Sequence, residues 1–139
     1  MCLGVYLATA APLETIDWAP EHRAFNVAGL TAHEEPVRRQ FSQPHLYYLG
    51  SHSRCGCGFQ AEGDGDPAAG KRSRAALAAY VGAARRMGPA ELFVCWDGDY
   101  ASAPERRLRL TPAELESAAD WTQELTFVEI LEPTAPALP

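Results

Sequence analysis

No apolar run in this chain reaches the ~18 residues that a membrane-spanning helix needs. The longest candidate, CLGVYLATAAPL at the start, stops well short and has no Lys or Arg before it. The charged n-region of a signal peptide is therefore missing, and the expectation is a cytoplasmic protein without membrane contact. A basic surplus is missing too. The formal net charge is −6, whereas a surface that binds phosphates usually shows as a net basic domain. Nucleic acid is therefore not an expected partner. Lysine is almost absent, with Lys71 alone against eleven arginines. That bias fits a GC-rich coding sequence, and no function is read from it.

The familiar catalytic signatures are also lacking. There is no G-x-S-x-G elbow and no H-E-x-x-H helix. GDGDPAAGKRS looks like part of a phosphate loop, but Arg72 intervenes before Ser73, so the required G-K-[ST] is broken. The DGD at 97–99 has no glutamate at the twelfth position of a calcium loop. His22, His33 and His45 stand alone and read as surface or structural residues. No internal repeat or low-complexity block is present.

What is present fits one domain. A chain of 139 residues buries roughly two-thirds of the surface its unfolded form exposes, so it folds without a staple. The expected domain covers residues 1–131. Residues 132–139 carry three prolines and are expected to form an extended or disordered tail.

Hydrophobic patterning places strands at 2–9, 24–30, 45–50, 91–96, 106–110 and 125–131. A Thr31/Glu34 capping box marks a short helix that Pro36 disturbs and that ends by Pro44. The run 71–88 is a long helix, with Leu77, Tyr80, Val81 and Ala84 at helical spacing and a Gly88–Pro89 stop. Thr111, Pro112 and Glu114 open a third helix. The order implies an α+β domain, with α/β as the alternative. Its mixed sheet has about five or six strands, and two or three helices pack mainly on one face.

Strand 45–50, the long helix and strand 91–96 have the length of a parallel crossover. Parallel strands would bring both C-terminal ends to one sheet edge, where ligands bind in such folds. One end carries GSHSRCGCG, the other DGD. His52, Cys55, Cys57, Asp97 and Asp99 would then gather there.

Three readings of the Cys-Gly-Cys segment stand open. Thiolates and imidazole suit zinc or another thiophilic metal, with His52, Cys55, Cys57, Asp97 and Asp99 as candidate ligands. Exposed thiols beside His52 or Arg54 suit thiol chemistry, with Cys55, Cys57 and Asp97 as candidate catalytic residues. Alternatively, the glycines supply positive φ for a tight turn and the cysteines only pack. Cys95 and Cys2 read as buried strand residues, unless Cys2 lies beside the loop. Arg72 and Arg74, at the expected start of the long helix, are candidate ligands for an anion. The functional expectation is metal-binding or thiol-based chemistry at the 52–57 loop, acting on a small molecule or protein. The alternative is an acidic protein-binding module, of inhibitor or immunity type, in which that loop is structural.

Overall fold

The chain's first apolar run becomes the middle of its sheet. In the computed structural model, which describes residues 2–22 and 24–133, β1 (Leu3–Thr9) is buried at every position. A strand with both faces apolar needs partners on both edges and cover on both sides. β1 has them: it pairs antiparallel with β3 (His45–Ser51) on one edge and with β4 (Ala90–Trp96) on the other. β2 (Phe25–Gly29) lies outside β3, while β6 (Thr126–Ile130) and the parallel edge strand β5 (Arg106–Leu110) lie outside β4. The order is β2-β3-β1-β4-β6-β5, a six-stranded mixed sheet in an α+β fold. The six expected strands are all present.

Alternation splits the core in two. Leu3, Val5 and Leu7 face one layer, with Leu49, Leu92, Val94 and Val128 beside them. That layer is covered by α1 (Pro67–Arg85), which contributes Leu77, Ala78 and Val81, and by α2 (Pro112–Ser117), which contributes Leu115. The indole of Trp121 is fully buried there and donates to the carbonyls of Leu115 (3.0 Å) and Ala118 (3.1 Å). Tyr6, Ala8, Phe93 and Cys95 face the opposite layer, which the segment Ala32–Gln40 covers through Val37. That segment is a 3-10 helix containing Pro36, and the expected capping box forms: Glu34 accepts from the backbone N–H of Thr31 at 3.0 Å. The two α-helices share one face, as the sequence pattern implies.

One boundary is corrected. α1 begins at Pro67, not at 71, because Asp66 caps it by accepting from the Ala69 N–H (3.1 Å) and Pro67 fits the first turn. Residues 67–70, outside the expected helix, are thus its first turn. The expected tail falls largely on residues 134–139, outside the described residues. No helix among the described residues is long and apolar enough to cross a membrane.

Candidate functional site

β3 and β4 are both antiparallel to β1, so they run parallel to each other with β1 between them. Their C-terminal ends and the start of β1 therefore share one sheet edge, as the crossover argument required for the 52–57 loop and Asp97. The third contributor is the start of β1, which realises the exception left open for Cys2, a place beside the loop. Cys2 is exposed at this edge rather than buried in a strand. The Asp97 N–H donates to its carbonyl at 3.0 Å, and the Leu3 N–H donates to Cys57 Sγ at 3.4 Å.

The glycines explain how the loop closes on that strand. A Cβ built at Gly56 would lie 2.7 Å from the Leu3 carbonyl oxygen and 2.9 Å from Val5 Cγ2. No other residue could bring the loop so close, because a backbone oxygen and a buried strand cannot give way. Neither Gly56 nor Gly58 has positive φ; in this turn that conformation falls on Arg54, at 72°. The expected reason for the glycines is corrected accordingly: they allow close approach, not a left-handed turn.

The result is a row of three free thiols, Cys2, Cys55 and Cys57. Cys55 is the middle member: it is the neighbour that acts on the thiol of Cys2 and also on that of Cys57. Its Sγ also lies 3.7 Å from Ser53 Oγ. Cys2 is held above the ordinary thiol value, chiefly by the charge and nearness of Cys55, with Asp97 adding to it. Burial is the main cause that pushes Cys57 up; the Leu3 N–H offsets part of it, and the nearby Cys55 adds to it. Cys95, the fourth thiol, is fully buried as expected and is pushed up to about 12 by that burial.

The remaining candidates go elsewhere. His52 does not face the thiols. Its ring is held between Ser73 Oγ (3.0 Å, through Nδ1) and the Gly63 carbonyl (2.8 Å, through Nε2), pinning the loop to α1. Asp99 is half-buried, and its charge bears on Cys95 rather than on the Cys55–Cys57 pair. Among the described residues, no three His, Cys, Asp or Glu side chains converge as a metal-ligand set. Arg54, expected to activate a thiol, lies over the Trp18 ring with its guanidinium carbon 3.6 Å from the centroid. Arg72 is exposed one turn inside α1 rather than at its N-terminus. Arg74 donates through Nη1 to the carbonyls of Phe59 (3.0 Å) and Gln60 (3.1 Å). The premise of an anion site at the helix start is thereby removed.

Beside the thiols, on the face away from α1, lies a cleft of about 400 Å³. Cys2 lines it together with Tyr6, Glu34, Tyr48, Asp97 and Tyr100. Tyr6 donates to Glu34 Oε2 at 2.6 Å, and Tyr100 donates to Asp97. Burial is the main reason that both phenols are raised, Tyr100 to about 12, so both stay protonated as donors. His33, read as an isolated surface residue, sits at the rim with Nε2 3.6 Å from Asp97. Tyr6 is a strand residue and Glu34 a capping residue in the sequence pattern. Nothing there shows that they meet across 28 positions. Comparison of the chain with protein-family models, curated proteins and solved structures finds no match.

Proposed function

We propose that this protein carries out thiol–disulfide exchange in a reducing, cytoplasmic compartment, with Cys2, Cys55 and Cys57 as its working thiols. The observation that carries the reading is the row itself: three free cysteines from two distant segments, with Cys55 acting on the thiols of both Cys2 and Cys57, and with Cys2 exposed. The Cys2 thiolate attacks one sulfur of a substrate disulfide. That S–S bond breaks, and the departing thiolate takes a proton from water. The Cys55 thiolate then attacks Cys2 Sγ in the mixed disulfide and expels the second substrate thiol. The protein is left with a Cys2–Cys55 disulfide, two electrons having passed to the substrate. Cys57 can next attack Cys55 and move the disulfide inward. Asp97 acts as a positioning residue through its N–H on the Cys2 carbonyl.

Raised thiols fit a reducing couple, because on balance the surroundings disfavour the thiolate form of Cys2 and Cys57 and the disulfide is correspondingly stable. A thiophilic metal on the same thiols is the reading placed second, since the converging set that zinc prefers is not found among the described residues. The test is to treat reduced protein with oxidised glutathione and map disulfides by mass spectrometry, with elemental analysis in parallel. A Cys2–Cys55 or Cys55–Cys57 bond that forms and is reversed by reduced thiol supports exchange. Stoichiometric bound metal that blocks alkylation until chelator is added would move the assignment to metal binding. Inert thiols with a co-purifying protein would favour the acidic binding module.

A further inference from the structure

The cleft has a chemistry of its own that thiol exchange does not use. Its walls carry three phenols and two carboxylates, and among the described residues neither Lys nor Arg lines it. The Tyr48 ring stands across Tyr6 at 64° with centroids 5.8 Å apart, and the Tyr100 ring stands across it at 86° and 6.0 Å. The Glu34 carboxylate is half-buried and accepts the Tyr6 hydroxyl on one oxygen and Thr31 donors on the other. Among the described residues, no Lys or Arg forms an ion pair with it. Asp97, which also lines the cleft, has His33 Nε2 at 3.6 Å and no Lys or Arg ion-paired to it among the described residues. Inclined aromatic rings with uncompensated carboxylates attract one class of ligand: ring quadrupoles and carboxylates both favour a positive charge, and the apolar walls favour a carbon body.

We propose that this cleft binds a small organic cation, an alkyl- or arylammonium whose charged nitrogen sits between Glu34 and Asp97 and whose apolar body packs on Tyr6, Tyr48 and Tyr100. An anion is disfavoured by two carboxylates, and a neutral ligand leaves them without a counterion. The volume suits a ligand of roughly ten to fifteen non-hydrogen atoms. The proposal does not rest on the thiol reading, since no sulfur takes part in holding the cation.

The test uses the full chain, kept reduced, and four probes of similar shape: benzyltrimethylammonium, benzylamine, benzyl alcohol and benzoate. Binding is measured by calorimetry at constant ionic strength. Expected is measurable binding of the two cations, with the alcohol and benzoate at least tenfold weaker. Glu34→Gln keeps an amide oxygen for the Thr31 N–H, so the capping box survives while the charge is lost. It should weaken the cations at least tenfold and leave the alcohol unchanged. Asp97→Asn, at an exposed site, repeats the test should Glu34→Gln fail to fold. Ala28→Leu, on an exposed cleft position, should block all probes with little change in melting temperature. Equal binding of alcohol and cation, or full cation affinity in both charge-removing variants, overturns the proposal, as does absence of cation binding at millimolar concentration.

Discussion

Oxidation of the reduced protein should raise its melting temperature by an amount that reports which thiols have joined. A Cys2–Cys55 bond closes a loop of about 54 residues. Chain-entropy arguments assign such a loop about 4 kcal/mol, an upper limit that any native-state strain reduces. A Cys55–Cys57 bond closes a ring of three residues, worth less than about 2 kcal/mol before strain, and strain in so small a ring consumes most of that. For a chain of this length 1 kcal/mol corresponds to about 3–4 °C, so the first bond predicts a rise of up to about 15 °C and the second almost none. The assay is differential scanning calorimetry of reduced and glutathione-oxidised protein, paired with peptide mapping. Cys55→Ser should abolish the shift, and Cys95→Ser should leave it intact because that thiol is buried away from the row. A mapped Cys2–Cys55 bond with no thermal shift would refute the loop-closure reasoning. No bond in any condition would refute the exchange function.

Three other changes follow from single contacts. Gly4→Ala places a methyl group 2.7–3.0 Å from the ring of Tyr6, which is buried and tied to Glu34; denaturant unfolding should show a loss of about 1–3 kcal/mol. His52→Ala removes the bridge between Ser73 and the Gly63 carbonyl. It should cost about 1–2 kcal/mol by urea denaturation and leave metal content unchanged, whereas a ligand role would change metal content first. Cys95 has a folded value of about 12 against an ordinary 9.0, so it contributes stability that is fully present below pH 9 and lost as pH rises toward 12. Between pH 8 and pH 10.5 the wild type should lose about 2 kcal/mol more than Cys95→Ala, and parallel urea curves at the two pH values would refute this.

Most of the fold was legible because each strand carries a pattern that only a sheet can satisfy. The strands β1 and β4, apolar on both faces, the alternating Leu108 and Leu110 of β5, and the proline-marked caps at Thr111 and Asp66–Pro67 are local signals. The last was overlooked because Gly63, Gly65 and Gly70 drew the stretch into a loop. The shared edge of the 52–57 loop and Asp97 followed from crossover length alone. The site's other half did not, for reasons that local pattern cannot hold. Cys2 joins the row only because β1 inserts between β3 and β4, a matter of strand order. His52 and Arg74 look chemical in sequence. Their hydrogen-bonding capacity is taken up by Ser73 and by backbone carbonyls that a folded loop happens to leave unpaired. Among the cleft residues only Asp97 carried a functional sequence signal; Tyr6, Glu34 and Tyr100 had explanations as strand, cap and turn residues.

The thiol row and the cleft share Cys2, and that contact makes their coupling measurable. Asp97 is one of the groups holding the Cys2 thiol above its ordinary value, although Cys55 is the larger cause. A cation seated between Glu34 and Asp97 offsets the aspartate's share and leaves the Cys55 share untouched. The Cys2 thiolate fraction at neutral pH should therefore rise, but only partly: about a twofold gain in alkylation rate, moderated by the lower nucleophilicity of a less basic thiolate. Iodoacetamide labelling at Cys2, followed by mass spectrometry with saturating benzyltrimethylammonium, reads this directly, and benzyl alcohol serves as the neutral control. Asp97→Asn should mimic part of the gain without any ligand and remove most of the ligand's effect. A rate that falls on adding the cation would mean that the ligand covers the sulfur instead of acting through charge. The electrostatic link between the two sites would then be wrong, even with both sites real.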